Sequence, residues 1–311
     1  MRVLYLGTPD FAAIPLEALV QDPRFEVVGV VTQPDRPTAR HRTPQPPPVK
    51  QAALRLGVPV LQPETLRDPG AVRYIAELRP DVGVIAAYGE ILRRDVLAIP
   101  PHGYLNIHPS LLPRYRGPAP VAGALLTGDA ETGVTVIQVS AKMDSGPILS
   151  QQRVPLPPDA RTGPLTDALF RLGTALLLGV LPPYVAGKLM PKQQNDKAAT
   201  YTRLLTRADG EIDWRASACQ IERMTRAFDP WPSAYTFWHG QLLKIFAARV
   251  IEWWQGDEPP GTLIAHGDSV WVATGAGALE LLSVQPAGKR PMPADIWLHG
   301  LRNISGQQLG Q

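Results

Sequence analysis

Apolar residues in the first half of the chain fall in short unbroken runs rather than in strict alternation with polar ones. Val3–Leu6, Phe25–Thr32 and Val82–Ala86 are such runs, and Val27, Val28, Val30 and Val31 make the second strongly β-branched. Runs of this kind fit strands covered on both faces of a sheet. The first ends at Gly7, and Thr8-Pro9-Asp10 leads into a helical pattern through Leu19. A helical stretch near Leu92–Leu97 precedes a strand at Leu105–His108, and Val134–Val139 predicts a further, parallel-type strand. Strands alternating with helices predict a mostly parallel, doubly wound α/β sheet with right-handed crossovers. Ligands bind such sheets beyond the carboxyl ends of the strands. Leu165, Ala168, Leu169, Leu172, Ala175 and Leu176 then trace a helix from about 162 to Pro182.

The texture changes after a polar stretch at 188–200, which reads as a linker. Short β-rich segments follow at 240–247, 250–254, 262–265, 270–273 and 279–284. Turns are expected at His239-Gly240, Gly256-Asp257 and Gly275-Ala276-Gly277. Several short strands so spaced predict a small barrel. The expected organisation is a catalytic domain over 1–187, a linker over 188–206 and a β-barrel domain over 207–311.

At 311 residues the chain has room for these two domains. Its one cysteine, Cys219, excludes an internal disulfide and a cysteine-based metal cluster, and it suits a reducing cytoplasm. Met1–Leu6 lacks the length of a signal peptide, and the apolar stretch Ala175–Val180, broken by Pro182 and Pro183, is too short for a membrane span. A soluble, cytoplasmic protein without a membrane partner is expected, with a monomer as the default. Charge is unevenly spread. Residues 1–200 carry 21 Lys and Arg against 17 Asp and Glu, whereas residues 201–311 carry 10 against 11. Arg36, Arg40, Arg42 and Lys50 cluster against Asp35 alone, and Lys188, Lys192, Lys197, Arg203 and Arg207 against Asp196 alone. Local basic loops of this kind are candidate phosphate contacts.

The chemistry concentrates at 104–117. Tyr104-Leu105-Asn106-Ile107-His108 alternates as a short strand does, which puts Asn106 and His108 on one face. Pro109 and Pro113 stiffen the exit, and Gly117 releases the chain. An amide that donates to an oxygen, beside a base that titrates near neutrality, suits acyl transfer. Asp144, in the turn Lys142–Pro147, is placed near the same sheet edge, where a carboxylate favours the charged imidazole. No serine or cysteine nucleophile stands out and no Gly-x-Ser-x-Gly elbow is present, so the attacking group is expected from the substrate. No metal is expected, because no two histidines stand at ligand spacing.

The motif Asn106-Ile107-His108-Pro109-Ser110-Leu111-Leu112-Pro113-Arg114-Tyr115-Arg116-Gly117, with Asp144-Ser145-Gly146, resembles the folate-dependent formyltransferases. That signature is shared by members acting on glycinamide ribonucleotide and on sugar nucleotides. Gly7–Phe11, Thr32–Pro37, Ala87–Leu92, Gln285–Met292 and Asp229–Pro232 look like the members whose acceptor is methionyl-tRNA. The resemblance spans the chain. It implies a Rossmann-like formyltransferase domain and an OB-like β-barrel domain that grips tRNA. It also implies transfer of formyl from 10-formyltetrahydrofolate, as co-substrate, to the α-amine of initiator methionyl-tRNA. On the matching positions, Asn106 would bond the formyl oxygen, His108 would stabilise it and assist proton traffic, and Asp144 would orient His108 and accept the amine's proton. Ser110, Leu111, Leu112 and Pro113 match the folate-contacting segment, and the backbone around Ala87, Tyr88, Gly89, Ile91 and Leu92 would wall the pterin. Arg36, Arg40 and Arg42, with Lys50 and Lys192, would meet the tRNA. Arg93 and Thr38–His41 depart from the pattern of many relatives. A formyltransferase acting on a small amine, and an RNA-binding protein with an inactive α/β domain, stay open on sequence alone.

Overall fold

The structure, a computed structural model, describes residues 1–37, 43–300 and 304–310. The first elements are β1 (Arg2–Gly7), α1 (Ala13–Gln21), β2 (Glu26–Val31), β3 (Arg36–Pro37), β4 (Pro44–Gln45), α2 (Pro48–Arg55), β5 (Val60–Leu61) and α3 (Pro69–Glu77). Then come β6 (Val82–Ala86), α4 (Arg94–Leu97), β7 (Tyr104–His108), α5 (Pro120–Thr127), β8 (Glu131–Gln138), β9 (Ile148–Pro155) and α6 (Thr162–Val185). The chain divides into two compact units. One comprises Met1–Pro120, Glu131–Pro155 and Thr166–Thr202; the other comprises Val121–Ala130, Leu156–Leu165 and Arg203–Gln311.

The first unit is built on a seven-stranded sheet in the order β5-β2-β1-β6-β7-β8-β9. From β5 to β7 every neighbouring pair is parallel, as the alternation of strands with helices predicts. The expectation of a parallel-type strand at Val134–Val139 is corrected: β8 runs antiparallel to β7, with His108 opposite Thr135, and β9 runs antiparallel to β8. Apolar content reports burial on both faces, but it carries no information about strand direction.

Two glycines let the layers close. An added Cβ at Gly83 on β6 would lie 2.0 Å from the ring of Tyr104 on β7, so that ring lies across bare backbone. At Gly173 an added Cβ would come within 2.5 Å of Ile107 and 2.7 Å of Val134, which brings α6 directly onto the sheet beside the motif strand. α6 buries Leu165, Leu169, Phe170, Leu177 and Leu181. It runs through Pro182 and Pro183 to Val185, beyond the expected stop. The prolines fall in its last turn, where only the few bonds at the end of the helix are lost and the packed face carries the rest. By length and composition alone this 24-residue helix is apolar enough to cross a membrane. In this fold 33% of its apolar window is buried, and Gly173 sets it against Ile107 and Val134 of the sheet.

The second unit contains α7 (Ala218–Ala227), β10 (Tyr235–Trp238), β11 (Gln241–Ile251), β12 (Leu263–His266), β13 (Ser269–Ala273), β14 (Ala278–Pro286), β15 (Met292–Pro293) and α8 (Ala294–His299). The order β10-β11-β14-β13-β12 is antiparallel throughout, with β15 on β14. His239 and Gly240, both at positive φ, make the expected tight turn. The two strands expected at 240–247 and 250–254 are one strand, β11, whose register shifts between Ile245 and Ala248. A bulge keeps one strand continuous while it bends. Trp214, Ile221, Leu263, Val272, Leu279 and Trp297 lie in the core. The segment 306–310 spans the gap between the outer strands. Leu263 N–H donates to the Gln307 carbonyl at 2.7 Å, and Gly310 N–H donates to the Phe237 carbonyl at 2.7 Å. This curled antiparallel half-barrel agrees with the small barrel that the strand spacing predicts and with the OB-like domain that the resemblance implies.

Candidate functional site

β7 ends at the motif. Asn106 is half-buried on its strand, and among the described residues its carboxamide has no hydrogen-bond partner. An amide held there without a partner is a ready donor. His108, two residues on, is 4% exposed. Its Nε2 lies 2.9 Å from the Tyr115 carbonyl. A carbonyl only accepts, so Nε2 carries the proton and the ring is fixed from that side. Nδ1 then faces Asp144, with Nδ1 to Oδ2 at 3.6 Å. Burial pushes the imidazole pKa below its ordinary value, the Asp144 carboxylate and the Tyr115 carbonyl acting in the opposite direction. A neutral ring thus presents a bare nitrogen to a carboxylate. Two acceptors so placed lack one proton, and that vacancy is what an amine losing a proton requires.

Asp144 reaches this position from the loop between β8 and β9. Its Oδ2 accepts from the Gly117 N–H at 2.8 Å. Its backbone is left-handed, at φ +48°, as are those of Tyr115 at +60° and Ala87 at +47°. Non-glycine residues rarely adopt this region, and such strain persists only where surrounding contacts over-determine it. Gly117, at φ +109°, lies so close to Thr202 that an added Cβ would be 2.5 Å from its carbonyl oxygen. Gly146 is as restricted, its added Cβ falling 1.7 Å from the Gln138 carbonyl oxygen.

The segment Ser110–Pro113 is pinned from beneath. The Thr135 hydroxyl donates to the Ser110 carbonyl at 2.6 Å, and Gln151 Nε2 donates to the Leu112 carbonyl at 3.0 Å. The Ser110 hydroxyl is buried and donates to the Arg114 carbonyl, so it braces the loop. Leu112 is buried, whereas Leu111 and Pro113 are half-buried and reachable. In the other loop, Tyr88 and Leu92 pack into the core with Leu66 and Ile75. Ile91 is 65% exposed, and Gly89 has φ +95°. What this loop offers a ligand is its backbone from Ala87 to Gly89 and the Ile91 side chain. Thr8 ties the first turn of the fold to it, its hydroxyl donating to the Tyr88 carbonyl at 2.9 Å.

The expected basic loop is only partly free. Lys50 Nζ donates to both oxygens of Asp35 at 2.8 and 2.7 Å, so its charge is matched by a carboxylate. The Lys50 bond, aided by Gln62, holds the Asp35 carboxyl below the usual carboxylate range. Arg36 is exposed, 3.9 Å from Glu64. Arg40 and Arg42 lie outside the described residues. Lys192 is exposed, with its backbone paired to Ile148. No group of three metal-ligating side chains occurs among the described residues.

Sequence reasoning missed Tyr115, whose carbonyl orients the imidazole, and also Thr135, Gln151, Arg116 and Gln194. Arg116 stands inside the motif, and its 2% exposure is unusual for a guanidinium. The expected linker at 188–206 contributes Thr200 and Thr202, whose backbones bracket Arg116 at 2.9 and 2.7 Å.

Residues 1–181 match the profile of a family described as formyl transferase, and residues 204–302 match that of the formyl transferase C-terminal domain. A methionyl-tRNA formyltransferase of Roseiflexus sp. strain RS-1 is 65% identical over 310 residues, covering 100% of this chain and 95% of the relative. One of Chloroflexus aggregans is 59% identical, with 97% of each chain covered. Among solved structures, an N-formyltransferase of Helicobacter canadensis in complex with folinic acid and dTDP-3-aminofucose superposes with TM-score 0.67 at 16% identity. The match covers 91% of this chain and 98% of that one.

Proposed function

Since this chain belongs to the formyl transferase family in both of its matched regions, we propose that Asn106, His108 and Asp144 carry out its formyl transfer. The reaction is transfer of formyl from 10-formyltetrahydrofolate to the α-amino group of methionyl-tRNA, the tRNA of its relatives' names. The observation that carries the residue assignment is the meeting of the His108 ring and the Asp144 carboxylate, 36 residues apart in sequence, at 3.6 Å.

The residues present fit a folate donor. The donor supplies an activated formyl group, and the chain supplies the rest. Asn106, with its unpartnered amide, holds the formyl oxygen as negative charge builds on it; losing such a donor costs about 10²–10³-fold. His108 Nδ1 and Asp144 Oδ2 together receive the proton that the α-amine gives up. The protonated ring stands ready to return it as the leaving nitrogen takes a proton. Proton transfer of this kind contributes about 10²–10⁴-fold. The Tyr115 carbonyl keeps the ring aimed throughout. Leu111, Pro113, Ile91 and the Ala87–Gly89 backbone seat the folate, and the Ser110 and Leu112 backbones are held for that purpose by Thr135 and Gln151.

The tRNA acceptor end meets Arg36, Arg40, Arg42 and Lys192, and the barrel over 207–311 grips the body. Residues 1–187 act as the catalytic domain, joined to the barrel through 188–206. The acceptor is the initiator tRNA, and the protein works as a cytoplasmic monomer without a membrane partner. The test is formyl transfer with methionyl-tRNA and with small amines, each with 10-formyltetrahydrofolate. Transfer to methionyl-tRNA alone is expected; transfer to small amines only would sink the tRNA assignment.

A further inference from the structure

Gln194 sits between the buried Arg116 and the backbone of the Asp144 loop. Its Oε1 accepts from Arg116 Nη2 at 2.8 Å and from Nε at 3.2 Å. Its Nε2 donates to the Asp144 carbonyl at 2.8 Å and to the Gly146 carbonyl at 2.7 Å. Both donors and both acceptor sites of the amide are therefore used. Reversing the amide would place its NH₂ against a guanidinium and its oxygen against two carbonyls, so only one orientation is possible.

Arg116 is itself immobilised. Asp196 Oδ1 takes its Nη2 at 2.6 Å, the Tyr201 hydroxyl accepts from Nη1 at 3.2 Å, and the Tyr201 ring lies beneath it with the guanidinium carbon 5.9 Å from the centroid. The next residue, Gly117, donates its N–H to Asp144 Oδ2. Asp144 is thus held at both ends from one place in the chain: at its carboxylate by Gly117, and at its backbone by Arg116 acting through Gln194.

We infer that Gln194 is a positioning residue for the reaction, which fixes the left-handed backbone of Asp144 and so the spacing between its carboxylate and the His108 ring. This rests on the role proposed above for Asp144. Nothing else among the described residues donates a hydrogen bond to the Asp144 or Gly146 carbonyl. Without those two bonds the left-handed turn loses its anchor, and a carboxylate displaced by about 1 Å costs on the order of 10²-fold in rate.

Gln194→Glu separates the two halves of the amide. The new carboxylate still accepts from Arg116 but can no longer donate to the two carbonyls. Gln194→Met removes both halves without adding charge. Both are to be measured beside Asp144→Asn in the full-length enzyme, with kcat, KM for methionyl-tRNA, the pH profile of kcat and the thermal midpoint as readouts. We expect both Gln194 variants to lose about 10- to 100-fold in kcat with KM within about two-fold of wild type. In Gln194→Met the acid limb should also move to lower pH, because a carboxylate drawn away from His108 no longer raises its pKa. Wild-type kcat in both variants overturns the inference. So does a loss that tracks the unfolded fraction with an unmoved pH profile, which marks a merely structural role. Asp144→Asn at near-wild-type rate would instead overturn the reading of Asp144, and the two failures are told apart by which variant is inert.

Discussion

His108 Nδ1 and Asp144 Oδ2 face each other across 3.6 Å while His108 Nε2 is committed to the Tyr115 carbonyl at 2.9 Å. The ring's outward nitrogen is thus the one next to the carboxylate. Burial lowers the imidazole pKa, and Asp144 offsets part of that. Asp144→Asn removes the offset, so the ring should titrate at still lower pH. NMR titration of the His108 ring checks the direction. A rise would mean that the carboxylate does not act on the ring.

The same shift affects stability. His108 is neutral in the fold below the pH at which it charges in the unfolded chain. Its contribution is therefore complete above the ordinary imidazole value of 6.5 and is lost as the pH falls below it towards the lowered folded value. His108→Gln, which cannot titrate, should flatten the fall of the thermal midpoint between about pH 7 and pH 5. An equal acid slope in both proteins would place the titrating group elsewhere.

Asn106→Ala should lower kcat by about 10²–10³-fold while KM for methionyl-tRNA stays close to wild type. Among the described residues the carboxamide has no partner to strand, so the fold should tolerate its loss, and circular dichroism should show a native spectrum. A rate within a few-fold of wild type would remove Asn106 from the chemistry.

The two cations of the 34–50 region should part company. Arg36→Ala should reduce the slope of log kcat/KM against log salt by about one unit, as for one lost phosphate contact. Lys50→Ala should leave that slope nearly unchanged, because its charge is matched by Asp35. Equal effects of the two substitutions would show that the pair opens on tRNA.

Gly83→Ala should destabilise the first unit by about 1–3 kcal/mol, because its methyl would meet the Tyr104 ring at 2.0 Å. Chemical denaturation checks this, and adding Tyr104→Leu should recover part of the loss.

What could be read from the chain was whatever is encoded locally. The β-branched run at Val27–Val31 and the alternation at Tyr104–His108 gave strands, and the spacing of Asn106 and His108 gave a shared face. The direction of β8 was not legible, since a buried strand looks alike in either sense. β11 read as two strands because a bulge interrupts its alternation. Pro182 read as a stop although tertiary packing carries α6 past it. The largest omission was Gln194, a plain amide in a polar stretch, whose partner Arg116 is 78 residues away. Such pairings leave no trace in periodicity or in spacing.

The crossing of residues 306–310 from Leu263 to Phe237 has a bearing on self-association. On the same strand as Phe237, the Tyr235 carbonyl is taken by the Ile212 N–H at 2.8 Å. The Tyr235 and Phe237 carbonyls of β10 and both main-chain groups of Leu263 on β12 are therefore engaged by the protein's own segments. A second copy would have to displace these segments before it could extend the ladder by adding a strand, the usual route to domain swapping and fibrous aggregation.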